Sequence, residues 1–198
     1  MTENRVSAPL LGGLGLLERA IGYTLGSLQL VTSGAMGRAT PCAAWDLQAL
    51  LQHMNDSLRT LHEAVDVGHV RLATAHLFAD PAEDPVAALR NRACTMLGAW
   101  TNADEPVSVS VAGLPVTAGV VTATGALEIA VHGWDVAQAC GQARPLPTRL
   151  AEELLPLAEI LVTGTDRPCL FALPVATSSF AGPGDQLLAF LGRQPLPG

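Results

Sequence analysis

Residues 126–141 read ALEIAVHGWDVAQACG. From about Val120 to Cys140 the chain is nearly all apolar and long enough for a helix, and Gly141 stands where a C-cap would fall. Glu128 and His132 lie four apart inside it, so a helix points them the same way. Two donors at that spacing can grip one ion. A plainer reading stands beside this one. Thr124, Glu128, His132, Asp135 and Gln138 fall on one line, as the solvent face of an amphipathic helix would. Yet the line is narrow and holds no Arg, and the rest of the helix is Val, Ile, Leu, Ala and Trp. A carboxylate in so apolar a segment needs a partner, because an unpaired buried charge is costly or simply neutralises.

Working outward, Leu10, Leu14, Leu17, Ile21, Leu25 and Leu28 recur at gaps of three and four, which predicts a helix within residues 10–33. GAMGRATPCAA, residues 34–44, reads as a loop. Trp45-Asp46 then opens a second helix with Asp46 as its N-cap. Leu47, Leu50, Leu51, Met54, Leu58, Leu61 and Val65 form its buried face. His53 lies roughly 120° from the centre of that stripe, on a flank shared with Leu50, Ser57 and Ala64. It faces either a neighbouring helix or water. Residues 66–83 give no clear pattern beyond a break at Asp80-Pro81. Residues 85–101 predict a third helix. Val107, Val109 and Val111 alternate with Ser108 and Ser110, and Gly113 follows, so a short β-hairpin or an extended connection is expected near 107–117. Residues 147–162 predict a further helix that Pro156 can kink, and Asp185 to Leu191 a short last one. The fold class is mainly all-α, in one domain over residues 1–198.

The 198 residues are 49% hydrophobic but only 4% aromatic, so the core is Leu, Val and Ala, a helix-leaning mixture. The net charge is −7, and all 11 basic residues are Arg, with no Lys. An acidic chain without a basic stripe is a poor partner for nucleic acid and for an anionic membrane. The N-terminus lacks the layout of a signal peptide. The apolar run from Leu10 to Val31 is interrupted by Glu18 and Arg19, against a membrane span. Cys42, Cys94, Cys140 and Cys169 form no CxxC pair and no disulfide spacing, so they read as reduced thiols and the location as cytoplasmic.

Other chemical signals are weaker. Cys42 precedes a helix start, where thiols can become nucleophilic, although a small packing residue is the commoner role. GGLG at 12–15 has no preceding strand, against a phosphate loop. His62, His69 and His76 read as surface residues. No GxSxG and no Ser/His/Asp order stands out.

Three blocks together resemble one family: ATPCAAWDLQALLQHM (39–54), ALEIAVHGWDVAQACGQ (126–142) and QLLAFLGRQP (186–195). They are similar to the actinobacterial metal-binding branch of the DinB superfamily, related to the N-terminal domain of mycothiol-dependent maleylpyruvate isomerase. The resemblance implies a DinB-like four-helix bundle. It also implies a metal-binding histidine in the first block, which falls on His53, and a carboxylate and a histidine in the second, which fall on Glu128 and His132. Bundles often build metal sites this way, from facing helices. Asp135, one turn past His132, is expected to support the site without ligating. The isomerases resembled carry a further C-terminal domain, and its contacts are not carried over. No carboxylate-binding Arg can be placed by motif; Arg90 and Arg92 are candidates by position alone.

Two His and one carboxylate leave coordination positions open, which favours catalysis over a closed structural site. The resemblance points to a divalent metal, zinc first, with iron, nickel or manganese as alternatives. Through the same resemblance it points to mycothiol as thiol cofactor. Such an enzyme would isomerise an electrophilic small molecule or transfer the thiol to it. A thiol-independent metalloenzyme of secondary metabolism, using Lewis-acid or oxygen chemistry, is the alternative. A non-catalytic metal-binding or sensor protein is the second alternative. Partners are a small-molecule substrate and, for assembly, a homodimer.

Overall fold

The computed structural model describes residues 13–42, 45–70, 84–102, 108–167 and 171–194. Four long helices come first: α1 (Gly13–Leu28), α2 (Leu47–Asp66), α3 (Pro85–Asn102) and α4 (Ala118–Ala139). Two further helices follow, α5 (Thr148–Leu161) and α6 (Pro183–Phe190). The long helices pack in a ring, α1 on α4, α4 on α2, α2 on α3 and α3 back on α1. This is the mainly helical, DinB-like bundle that the sequence implies. α5 leans on α1 and α4, and α6 packs on α5. None of the described helices is long and apolar enough to cross a membrane.

The leucine spacing of α2 produces its buried face as expected: Leu47, Leu50, Leu51, Met54, Leu58 and Leu61 are all buried, while Val65 is half-buried. Asp46 caps the helix, its carboxylate accepting from Ala49 N at 2.8 Å. α4 is different. It is buried on nearly every side, from Thr122 to Ala139, and lies at the centre of the bundle. A helix apolar all round has to be a core helix. Its contact with α1 is close because Gly133 has no side chain. A Cβ there would run into Thr24, whose hydroxyl donates to the Ile129 carbonyl at 2.7 Å. Gly141 ends α4 in the left-handed conformation (φ 74°), as the C-cap reading required.

The hairpin is β2 (Ser108–Val111) and β3 (Leu114–Thr117), joined by Ala112 and Gly113, both at positive φ as a type I′ turn needs. A two-residue strand, β1 (His69–Val70), pairs parallel with β2 at Ser110 and Val111. Alternation cannot flag two residues, and the sequence left this stretch unassigned. Its presence moves His69 into a sheet. His69 and His62 are half-buried. α5 continues through Pro156. The expected break at Asp80-Pro81, His76, Cys169 and Val107 lie outside the described residues.

Candidate metal centre

α2 and α4 lie side by side, and that contact brings the three expected residues together. His53 comes from the flank of α2, Glu128 and His132 from one face of α4. One donor atom from each lies within 4.8 Å of the other two. Glu128 Oε1 is 2.5 Å from His53 Nε2 and 3.3 Å from His132 Nε2. The two imidazoles stand nearly perpendicular, with centroids 5.1 Å apart. Ser57, one turn after His53, donates to the same carboxylate oxygen at 3.3 Å.

Donors held 2.0–2.2 Å from a tetrahedral ion sit about 3.3 Å from one another. The His132–Glu128 separation already matches that, and the His53–Glu128 pair has to open by under about 1 Å. The donor set also fits a divalent ion: two imidazoles, one carboxylate, and no other Cys, His, Asp or Glu in the group among the described residues. The trio therefore forms a group able to hold one metal ion with part of its coordination sphere open.

The line Thr124, Glu128, His132, Asp135 is not a solvent face. Thr124 is exposed, Glu128 half-buried, His132 buried and Asp135 fully so. Asp135 Oδ2 accepts from His132 Nδ1 at 2.9 Å. Asp135 in turn accepts two bonds from Arg193, from Nη2 at 2.9 Å and Nε at 3.4 Å. Arg193 is itself buried, and its Nη1 donates to the Leu191 carbonyl at 3.1 Å.

These contacts set the charges. Burial alone would lower the His132 pKa. The Glu128 charge and the hydrogen bonds to Asp135 and Glu128 outweigh it and raise that pKa to about 9. Without metal, His132 is thus an imidazolium between two carboxylates. Burial would raise Glu128, yet the charges and hydrogen bonds of His132 and His53 hold it well below the usual carboxylate range. Asp135 follows the same pattern, held down against burial by His132 and Arg193.

Two cavities meet at Glu128 and Thr124. The larger, about 490 Å³, runs from His53 and Glu128 towards the sheet, between α2 and α4. The smaller, about 100 Å³, lies on the His132 and Arg193 side, beneath Phe171 and Leu191. Arg90 and Arg92 line neither; Arg90 is exposed and Arg92 half-buried on α3. Cys42 lies in the turn before α2, and Thr40 Oγ1 donates to its carbonyl at 3.0 Å.

Sequence reasoning assigned no site role to three residues found here. Trp45 tilts over His53, ring centroids 4.3 Å apart; its only signal was its place beside the helix cap. Ser57 was visible on the flank of His53. Arg193 sits in the last of the three resemblance blocks, but no spacing ties it to a residue 58 positions earlier.

Compared with known proteins, residues 17–137 match the mycothiol maleylpyruvate isomerase N-terminal domain family. No curated protein and no solved structure matches the chain. The match spans more than half of the sequence, runs from α1 through most of α4, and includes His53, Glu128 and His132. On that match the chain belongs to the mycothiol maleylpyruvate isomerase N-terminal domain family, within the DinB-like superfamily.

Proposed function

We propose that the protein is a metal-dependent enzyme. His53, Glu128 and His132 hold one divalent ion, zinc in the first instance, and a thiol cofactor, mycothiol, is presented there to an electrophilic small molecule for isomerisation or thiol transfer. The observation that carries this reading is the convergence of the three donors, two of which, His53 and Glu128, border an open cavity. A divalent ion with open positions supplies the charge that keeps a thiol deprotonated and nucleophilic at neutral pH. The chain's own residues prepare the place. Asp135 accepts a hydrogen bond from His132 Nδ1, which fixes the ring and leaves Nε2 to face the ion. Arg193 keeps Asp135 ionised. Trp45 covers one face of the His53 ring and limits its rotation. Apolar walls beyond Glu128 offer water few hydrogen-bonding partners.

One observation favours a thiol-independent metalloenzyme as a second reading. The larger cavity is mostly apolar, a meagre surface for a hydrophilic thiol cofactor. Both readings require the metal, and they part over the thiol.

The test is elemental analysis of purified protein, followed by turnover of a conjugated electrophile with and without mycothiol. About one equivalent of divalent metal, lost in His53→Ala and Glu128→Ala, is expected, together with turnover that needs mycothiol. Metal-dependent turnover without any thiol would transfer the assignment to the second reading. Wild-type protein that takes up no metal would overturn both, and full activity in both variants would do the same.

A further inference from the structure

The larger cavity is walled by apolar side chains with a few polar ones set between them. Leu61, Val70, Val111, Val116, Val120 and Val121 form its walls. Among the described residues, the charged lining beyond the proposed metal ligands is Asp56. Arg59 pairs with Asp56 at 3.5 Å, but does not itself line the cavity.

The polar side chains between those walls have already used their protons. Ser57 donates to Glu128 at 3.3 Å, Thr60 to the Asp56 carbonyl at 3.0 Å, and Thr124 to the Val120 carbonyl at 2.8 Å. Apart from the imidazole of His53, the described lining therefore offers a ligand acceptors and apolar surface, but no side-chain donor. A carboxylate needs donors or a cation when it leaves water, and losing them costs several kcal/mol. The metal does not supply the missing charge. In the reading above, which this inference rests on, its two charges are matched by Glu128 and the thiolate.

We infer that this cavity takes the uncharged, apolar body of a small-molecule substrate. The electrophilic end lies at His53 and Glu128, and the remainder of the molecule lies against the valines of the sheet and of α4. At about 490 Å³ the space suits a molecule of modest size. An alkyl or aromatic chain gains from burial there, whereas a second anionic group meets Asp56 and three hydroxyl lone pairs.

Two hydroxamates with the same zinc-binding head separate this from the thiol chemistry. Hexanohydroxamic acid carries an apolar tail, and the monohydroxamate of adipic acid ends in a carboxylate. Calorimetric titration into zinc-loaded protein is expected to show the apolar tail binding at least about tenfold tighter. It should also bind well above tailless acetohydroxamic acid. Val116→Arg, which places a cation on the β3 wall, is expected to shrink the gap to within a few-fold. Equal affinities in the wild type, a preference for the carboxylate tail, or no gain over acetohydroxamic acid would each overturn the inference. Arg71 follows Val70 outside the described residues, so Arg71→Ala is titrated in parallel. A carboxylate preference counts against the inference whether or not that variant abolishes it. Protein that takes up no zinc would sink the metal reading alone. Hexanamide against the monoamide of adipic acid then reads the same tail preference without a metal. Absence of mycothiol-dependent turnover, with the tail preference intact, would remove the thiol and leave the cavity assignment standing.

Discussion

The two sides of the candidate metal centre are built on opposite principles. On one side His132, Asp135 and Arg193 have side chains 7%, 0% and 8% exposed, an ion-paired chain inside the core. On the other, His53 and Glu128 are 31% and 27% exposed and border the larger cavity. A buried charge chain tolerates little movement, because each member would be left unpaired if another left. A half-exposed pair can separate and admit a ligand at small cost. The difference teaches a division of labour: the buried side holds geometry, and the open side meets whatever enters.

The comparison is broken most severely at Asp135. Asp135→Ala leaves the Arg193 guanidinium buried without its counterion, so unfolding free energy should fall by about 3–5 kcal/mol, read by denaturant titration. The milder Asp135→Asn keeps the shape. Its metal affinity should drop roughly 10–100-fold, measured by competition with a chelator. Next in size is Gly133→Ala. The added methyl meets Thr24 where α1 and α4 touch, and overpacking of this kind costs about 1–3 kcal/mol. Should that variant be as stable as the wild type, the contact is looser than described.

A smaller effect follows from pH. The His132 pKa in the folded, metal-free protein is raised to about 9, against about 6.5 in an unfolded chain. A raised pKa means that His132 binds its proton more tightly when folded. Its contribution to stability is complete below about pH 6.5 and is lost as pH climbs through about 9. Metal needs the same nitrogen without its proton, so affinity should rise over that window. Thermal unfolding with and without zinc at several pH values checks both signs, and a metal affinity flat with pH would contradict the ion-paired His132. Smallest of all is the stability change in His53→Ala, below about 1 kcal/mol for so exposed a pair. That variant should nevertheless lose the metal. Large destabilisation there would erase the contrast between the two sides.

The sequence made one side far more legible than the other. The leucine period of α2, its Asp46 cap and the four-residue step from Glu128 to His132 are local patterns, and each is realised. His53 could be placed only on a flank, and a flank is where it sits, half-exposed and turned towards α4. The plainer alternative of a solvent line from Thr124 to Gln138, already disfavoured by its narrowness, falls for a tertiary reason. Arg193, just after α6, reaches Asp135 in the C-terminal half of α4 and supplies the charge that lets it be buried. α4 itself signals that a partner is needed but not that the partner is Arg193. β1 was invisible because its two residues gain their strand geometry from β2 alone. Trp45 was legible as a helix opener and not as a lid on an imidazole, because ring stacking depends on where two side chains turn.

The reach of Arg193 has a consequence for anyone trimming this protein. The family match stops at residue 137, and a fragment cut to that boundary would keep every proposed metal ligand. It would also strand an anion in the interior with its guanidinium clasp removed. Grafting the three ligands onto another bundle, without an equivalent fastening from a distant part of the chain, would reproduce the ligands and lose the rigidity that aims them.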